Sequence, residues 1–538
     1  MPQDFEERSS QGAGRGLFVT KKFDPGSFVF RSEEPFVAVL DSPILMRACS
    51  WCFLFVEESA LDDNVTVSAC KGCNIVKYCG KVCQTASWKH SHKYECKIFR
   101  ALYPRVLPNT GRMILQILLR RKNGAIPEDD WNRSLKLQHH MDDLERGTRE
   151  GNQFQQTNLQ NIQLIAKASK EYAASAEDLG FIEFLVGRLV TNAMALTSAL
   201  YTPIGLTLVL SASLLNHSCN PNSAIVYDGR KVSLHVSEKL EPDTELTISY
   251  INTTLSSKTR MSELWDRYHF TCRCSQCSQG LTLGHSIINP SIEPLSSISK
   301  MTSMEQEVSA LIAEAKSRPT PKGLPQIVEA YQTISRYPEY PGWLSPLYQV
   351  RLDLIIALQA NKKWVAAFLQ SLILHFTVQP IVYPEEAHPT RVARDWVQAR
   401  MAENIGGCAD EPGFAEWLDA VEEGELARAL ASYFGLDWGL VVYTLVKDVN
   451  DQMLKSHGPG TRFGADVERD MLGMKKGARD TFGEPTEEEF EETRLLLRNV
   501  ASQGWSWLKV WSKDRKSRQL LLTSGLSPAE EAFQKLME

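Results

Sequence analysis

The residues of this chain best suited to chemistry are its cysteines. Twelve occur, at positions 49, 52, 70, 73, 79, 83, 96, 219, 272, 274, 277 and 408, and they fall into two tight groups and two isolated thiols. The first group reads CSWC (49–52), CKGC (70–73), CGKVC (79–83) and HKYEC (92–96). Two cysteines separated by two or three residues form a knuckle that turns both sulfurs inward. The start MPQDFEERSSQGAG lacks the basic and apolar stretches of a secretory leader, so such pairs predict zinc thiolates rather than disulfides. Cys49, Cys52, Cys70, Cys73, Cys79, Cys83, His92 and Cys96 supply eight ligands, which fills two tetrahedral zinc sites. Sequential and interleaved pairing are both open on these residues, interleaving being the more economical. His90 competes with His92, but only His92 stands in H-x3-C spacing to Cys96.

The second group, FTCRCSQC, holds Cys272, Cys274 and Cys277, one ligand short of a closed structural site. Outside the first group, Cys219 in LLNHSCNPNSAIVY is the one other cysteine before residue 408. It is expected to complete a third zinc site and so to tie the NHSC turn to a segment more than fifty residues downstream. Cys408, in IGGCAD, is left as an ordinary thiol.

The elements that must position these groups are read from hydrophobic patterning. GAGRGLFV runs from glycines into β-type residues, so it is not a dinucleotide-binding turn. Gly14 and Gly16 remove side chains where backbone must come close to a ligand, with Arg15 between them. TLVLSASLL is an apolar run leading into Asn216 and His217. AIVYDGRKVSLHV reads as a hairpin with Asp228-Gly229 at its turn, and ELTISYI as a strand with Tyr250 near its end. Residues 100–200 carry helical periodicity, as at Ile114, Ile117 and Leu118, interrupted by RGTREGNQFQQTN, which predicts an exposed connection. IINPSIEPLSSISK (287–300) predicts a linker. Beyond it, Ile327/Tyr331/Ile334, Leu347/Val350/Leu354/Leu358 and Trp364/Phe368 mark amphipathic helices of tetratricopeptide-like length without a strict repeat. KSHGPGTRFGADVERD predicts a loop, and Thr486 with Glu489 after Pro485 a capping box opening another helix.

Composition sets outer limits. With 43% hydrophobic and 23% charged residues the chain has room for two to four domains. A net charge of -6 argues against a chain-wide nucleic-acid footprint, although residues 70–100 carry seven Lys/Arg against one acidic residue, Glu95. Apolar runs such as GLTLVLSASLL fall short of the roughly 18 residues of a membrane span, so none is expected.

The first cysteine group, with C-x2-C, C-x3-C and H-x3-C in that order, resembles the MYND zinc finger. GAGRGLFVTKKFDPGSFVFRSEEP, LLNHSCNPN, ELTISY and RYHFTCRCSQC resemble the SET domain and its post-SET zinc. SET split by MYND is the arrangement of the SMYD-type protein lysine methyltransferases. The resemblance implies an α+β fold, in which a SET β-fold is interrupted by the finger and a helical insert, then followed by an all-α, tetratricopeptide-like domain. The expected segments are 1–48 (first SET part), 49–96 (finger), 97–200 (helical insert), 201–256 (second SET part), 257–286 (post-SET) and 287–538 (helical). It pairs Cys49, Cys52, Cys79 and Cys83 on one zinc, and Cys70, Cys73, His92 and Cys96 on another. It makes Tyr250 the catalytic tyrosine. Gly14, Arg15, Gly16, His140, Asn192, Asn216, His217, Tyr250, Tyr268 and Phe270 become contacts for S-adenosylmethionine, with three structural zinc ions as the remaining cofactors. The partners implied are a protein substrate offering a lysine, histone or not, and a proline-rich peptide at the finger, with DNA contact secondary. A monomer of the nucleus and cytoplasm is expected, with no membrane partner. The competing reading is a catalytically silent adaptor that binds proline-rich peptides through its finger.

Overall fold

The computed structural model describes residues 4–55, 66–278, 295–337, 340–410, 418–481 and 483–514. The chain divides into two units, one of Met1–Ile251 with Met261–Cys274 and the other of Asn252–Arg260 with Ser275–Glu538.

The first unit opens with strands β1 (Phe5–Ser10), β2 (Gly14–Val19), β3 (Phe28–Glu33) and β4 (Val37–Leu40). The finger follows, with short strands β5 (Ser68–Ala69) and β6 (Lys77–Tyr78) and helices α1 (Lys81–Ser87) and α2 (Lys93–Leu102). Five helices come next: α3 (Asn109–Lys122), α4 (Glu128–Leu135), α5 (Met141–Arg149), α6 (Gln153–Ala173) and α7 (Leu179–Asn192). The chain then returns to strands as β7 (Met194–Thr197), β8 (Pro203–Leu208), β9 (Asn216–His217), β10 (Ser223–Asp228), β11 (Lys231–Val236) and β12 (Thr247–Ile248), before helix α8 (Ser257–Tyr268).

The small sheets join segments far apart in sequence. β4 pairs with β8, and β3 with β11, so the strands before the finger are completed only by strands after the helices. Helix α3 is the hub of this core. Its Met113, Ile114, Leu115, Ile117 and Leu118 are all buried, a helix apolar on nearly every side. Its two buried arginines reach backbone carbonyls flanking β4: Arg112 donates to Leu40, and Arg120 donates to Phe36 at 2.6 Å. A buried guanidinium keeps its charge tolerable only through such bonds.

Two sequence expectations for this unit change. Asp228 pairs with Lys231, so the hairpin turn is Gly229-Arg230 rather than Asp228-Gly229, and Gly229 adopts φ 60°. RGTREGNQFQQTN is mostly helical: its first four residues end α5, its last six begin α6, and only residues 150–152 connect them. Asn152 caps α6 by accepting from the amides of Phe154 and Gln155 at 3.0 and 3.2 Å.

In the second unit the described secondary-structure elements are all helices. After α9 (Ser275–Ser278) come α10 (Leu295–Lys316), α11 (Leu324–Ile334), α12 (Leu347–Ala360), α13 (Trp364–Ile373), α14 (Gln379–Val382), α15 (Pro389–Asp410), α16 (Leu418–Phe434), α17 (Trp438–Ser456), α18 (Arg462–Thr481) and α19 (Glu487–Asp514). The apolar stripes read from sequence are core: Ile327, Tyr331, Ile334, Val350, Leu354, Leu358 and Phe368 are all buried. The capping box is formed, since the Thr486 amide donates to Glu489 at 2.7 Å and the Glu489 amide returns to the Thr486 hydroxyl at 3.3 Å.

Three expectations change here. Residues 295–300 of the expected linker belong to α10, and 287–294 lie outside the described residues. The expected loop at 455–470 is mostly helix α18, anchored by buried Phe463 edge-on to His457 and Trp396 at 4.9 and 6.0 Å. The run Trp364–Val382 is long and apolar enough to cross a membrane, contrary to the sequence expectation, but 72% of it is buried within the protein, the pattern of a core helix.

Candidate active site and metal centres

Among the described residues three groups of four ligands converge: Cys49/Cys52/Cys79/Cys83, Cys70/Cys73/His92/Cys96 and Cys219/Cys272/Cys274/Cys277. Within each, the ligand atoms all lie within 4.8 Å of one another. In the finger the first and third pairs share one centre and the second and fourth the other, so the pairing is interleaved. A tetrahedral zinc at about 2.3 Å from each sulfur sets its sulfurs about 3.8 Å apart. Here Cys52–Cys79 and Cys79–Cys83 are 3.7 and 3.5 Å, Cys70–Cys96 is 3.9 Å, and His92 Nε2 stands 3.4 and 3.7 Å from Cys70 and Cys73. The donor chemistry agrees. Burial, reinforced by neighbouring sulfurs, pushes the Cys83 and Cys96 thiols up to about 12, the cost of crowding sulfurs that a dication reverses. Burial also holds His92 neutral, pushed down to about 4, which leaves its Nε2 lone pair available for a metal. Gly72 is required between Cys70 and Cys73, because a Cβ there would meet the Cys96 sulfur at 2.7 Å. His90 stands outside both sets, edge-on to Trp51 at 5.4 Å.

The third centre is largely enclosed, with Cys219, Cys272 and Cys277 buried and Cys274 half-buried, whereas all four ligands of the second are buried. Cys219 reaches it from the turn after β9. That short strand runs parallel to β12, with Asn216 opposite Thr247 and His217 opposite Ile248. Asn222, three residues after Cys219, extends the pairing with its side chain: its Oδ1 accepts from the Thr247 amide at 2.8 Å, and its Nδ2 donates to the Glu245 carbonyl at 2.8 Å. Tyr250 therefore leaves the strand at a fixed place, two residues past its end.

Tyr250 is bound to the NHSC turn at both ends. Its backbone amide donates to His217 Nδ1 at 3.0 Å, and its hydroxyl donates to the Leu215 carbonyl. Because Nδ1 accepts, the imidazole proton sits on Nε2, which faces the Cys219 sulfur at 3.4 Å. One histidine thus links the tyrosine backbone to a zinc ligand. Around it the Tyr250 and Tyr268 rings are centred 4.8 Å apart, His217 lies 5.3 Å from Tyr250, and Phe270 lies 6.0 Å from His217. Burial raises the Tyr250 hydroxyl above the ordinary tyrosine range, so the ring is a neutral phenol at physiological pH. Its one proton is engaged by Leu215, which leaves its oxygen an acceptor.

The glycine-rich stretch meets the same turn. Asn216 Nδ2 donates to the Arg15 carbonyl at 3.1 Å and to Glu245 Oε1 at 2.7 Å, and the other Glu245 oxygen accepts from Ser10 at 2.9 Å. Gly16 is needed for this interlock, since a Cβ would fall 2.3 Å from Glu245 Oε1 and 3.0 Å from Asn216 Nδ2. Gly14 takes φ +76°, a conformation that favours glycine. The Arg15 side chain points away from the turn, to Glu7 at 2.7 Å and to the Lys136 carbonyl at 2.6 Å.

That carbonyl belongs to the α4–α5 connection, which three side chains grip. Besides Arg15, Arg188 donates to Leu135 at 3.0 Å and Asn192 donates to Gln138 at 2.7 Å. Asn192 also donates to the Arg188 carbonyl, so its amide is committed to backbone. His140 closes the connection in the left-handed region at φ 52°, paired with Asp143 at 3.0 Å and 5.2 Å from the His269 ring. The structure thus gathers Asn216, His217, Tyr250, Tyr268 and Phe270 with Gly16, and sets Arg15, Asn192 and His140 around the neighbouring connection. Glu245, Asn222 and His269 are the members that sequence reasoning missed.

Residues 14–251 match the SET domain family. The chain is 32% identical over 273 residues to "SET domain and MYND-type zinc finger protein 6" of Schizosaccharomyces pombe, covering 50% of this chain and 51% of that protein. It is 27% identical over 285 residues to "Histone-lysine N-methyltransferase SMYD3" of Homo sapiens, covering 51% and 62%. It is 27% identical over 278 residues to "Histone-lysine N-methyltransferase ASHR1" of Arabidopsis thaliana, covering 49% and 53%. The chain therefore spans only between about half and two thirds of the length of these relatives. A solved SET domain, "LSMT bound to Lysine and AdoHcy", aligns at 12% identity with a TM-score of 0.24 over 88% of this chain and 89% of that one, too slight a likeness to support an inference.

Proposed function

We propose that the chain is a member of the SET and MYND family and a protein-lysine N-methyltransferase using S-adenosylmethionine, a reading supported by its SET-matching residues 14–251 and its likeness to SET- and MYND-containing relatives. The observation that carries this reading is Tyr250, a neutral phenol whose proton is held by Leu215 and whose oxygen is left to accept, within an aromatic cluster of His217, Tyr268 and Phe270. The cofactor, when bound, supplies an electrophilic methyl group on a cationic sulfonium. The residues fit that chemistry, because aromatic faces favour a cation and Gly16 leaves the space beside Asn216 free of a Cβ. Asn216 and His217 on their turn, Arg15 and the connection gripped by Asn192 and His140 are the residues to hold it.

The target lysine must be neutral to react. At pH 7.4 an ordinary lysine, pKa about 10.4, pays about 4 kcal/mol for deprotonation. A dry site walled by Tyr250, Tyr268 and Phe270 lowers this by disfavouring the ammonium, and the Tyr250 oxygen orients the amine without acting as a base. Zinc takes no part in the transfer. The third centre holds the turn that carries Asn216 and His217, and Tyr250 is fixed to that turn.

The substrate on this reading is a lysine of a protein, histone or otherwise. The finger exposes Val82 and Trp88 beside Lys81 and Lys89, an apolar and basic face suited to a proline-rich peptide. The test is a mass-spectrometric screen of lysate proteins incubated with the purified chain and isotope-labelled S-adenosylmethionine. Labelled methyl-lysine that disappears with Tyr250→Phe supports the reading, and no incorporation by folded, zinc-loaded protein would leave the adaptor reading in its place.

A further inference from the structure

The rings of His140 and His269 are centred 5.2 Å apart. His140 ends the α4–α5 connection and His269 stands between Tyr268 and Phe270, so two segments far apart in the chain meet through two imidazoles. Both residues take left-handed backbone, φ 52° and 55°, which side chains other than glycine adopt at a cost. Tyr268 packs on Tyr250 and Phe270 on His217, while His269 between them reaches His140 and, edge-on at 6.4 Å, Trp265.

One carboxylate serves this pair. His140 Nδ1 donates to Asp143 at 3.0 Å, and Arg146 bonds the other Asp143 oxygen. Against the cost of burial, the His140 bond with His269 and Arg146 nearby holds Asp143 below the ordinary carboxylate range, so it is an anion that neutralises one imidazolium. Burial and the neighbouring His140 push His269 below the ordinary histidine range; Arg146 adds to this, and Asp143 and Asp266 oppose it. His139 is committed elsewhere, its Nδ1 accepting from the Met141 amide at 3.2 Å and its ring edge-on to Phe184 at 4.8 Å, with Asp142 and Arg188 as its charged neighbours.

We propose that His140 and His269 form a clasp between the α4–α5 connection and the aromatic wall, in which His269 is a positioning residue for S-adenosylmethionine: one imidazolium, neutralised by Asp143, leaves the clasp closed, and a second opens it. The ligand named here rests on the methyltransferase reading, whereas the clasp itself does not. An opened His269 has the ordinary pKa of about 6.5, above its value in the closed clasp. Closure is therefore fully favoured above about pH 6.5 and is increasingly opposed as pH falls below it.

His269→Asn tests this, because asparagine tolerates left-handed backbone and does not titrate. Calorimetry on the zinc-loaded full chain should show wild type binding S-adenosylmethionine about threefold to tenfold more weakly at pH 5.5 than at pH 7.5. His269→Asn should be weaker than wild type at pH 7.5 by about threefold to tenfold, the range for losing one ring contact, with no further loss at pH 5.5. Wild-type affinity in the variant at pH 7.5, or the wild-type pH dependence retained in it, would overturn the proposal. Hydrogen exchange on wild-type protein decides the clasp without the cofactor or the variant. The His269 and Leu144 amides, bonded to the Trp265 and His140 carbonyls, should lose protection between pH 7.5 and pH 5.5 after correction for intrinsic exchange. Unchanged protection there refutes the clasp; that loss of protection in a folded chain that binds no S-adenosylmethionine at either pH supports the clasp and refutes the methyltransferase reading instead.

Discussion

Removing one oxygen from Tyr250 separates its structural and chemical roles. Tyr250→Phe keeps the ring and its contacts with Tyr268 and His217, and keeps the backbone amide that donates to His217 Nδ1. What it loses is one hydrogen bond to the Leu215 carbonyl. A neutral bond of this kind contributes about 1 kcal/mol, and a domain of this size should lose about 2–4 °C of melting temperature. The activity loss should be far larger. A preorganised polar group at the reacting centre contributes on the order of 10²–10³ in kcat, about 3–4 kcal/mol of barrier. The assay pairs thermal denaturation with methyl transfer to a substrate from the lysate screen, measured from pH 6 to pH 9. Because burial raises the Tyr250 hydroxyl above the ordinary range, it does not ionise there, and the rise of kcat/KM with pH belongs to the substrate lysine. The variant should show the same pH slope at a lower plateau. A kcat within fivefold of wild type, or loss of the pH rise in the variant, would refute this account.

Three further outcomes are expected. Gly16→Ala should break the Asn216–Glu245 hydrogen bond by placing its Cβ 2.3 Å from Glu245 Oε1, at a cost of about 1–3 kcal/mol in stability and with weakened S-adenosylmethionine binding by calorimetry; unchanged binding would mean that this interlock does not shape the cofactor site. Elemental analysis should find three zinc ions per chain, and Cys219→Ser two, with cofactor binding lost in that variant because the same turn carries Asn216 and His217; a folded Cys219→Ser protein with wild-type cofactor affinity would contradict this link. Burial pushes Glu385 up to about 7, so the folded state holds a proton that the unfolded chain releases; the resulting destabilisation is absent below about pH 4.5, grows as pH rises and is complete above about 7. Because the group is partly exposed, Glu385→Gln should gain on the order of 1 kcal/mol at pH 8 and nothing at pH 4, read from denaturant midpoints, and an equal gain at both would exclude the titration.

The metal centres were legible because a zinc knuckle is local: two thiols a few residues apart declare their purpose, and Cys219 followed from counting. The aromatic wall was legible by its place just before Cys272. Glu245 was not, since a lone glutamate in EPDTELTISY has no pattern, and its role exists only where β2, Asn216 and Ser10 meet. Asn222 was quoted but unread, because a side chain that substitutes for a strand's backbone pairing leaves no periodic trace. The turn at 146–158 was hidden by polarity, although Gly151 followed by Asn152 is a helix end beside a helix cap. The α18 helix was hidden by Gly458, Pro459 and Gly460 before it and Gly464 in its first turn, although Phe463, Val467 and Met471 form a buried stripe at helical spacing.

The Leu17 carbonyl accepts from the amide of Leu246, and the Val19 amide donates to the Thr244 carbonyl. These bonds have a consequence in time. A ribosome adding about 5–20 residues per second needs on the order of 10–50 s to bring the second partner out after the first. During that interval the β1–β2 hairpin can form but has nothing to dock against, while the finger, whose ligands lie within fifty residues of one another, can close as soon as zinc arrives. The inserted finger and helices are thus expected to be finished before the core into which they are inserted. A nascent chain stalled near residue 200 should hold its two finger zinc ions and remain open to protease between β2 and β4.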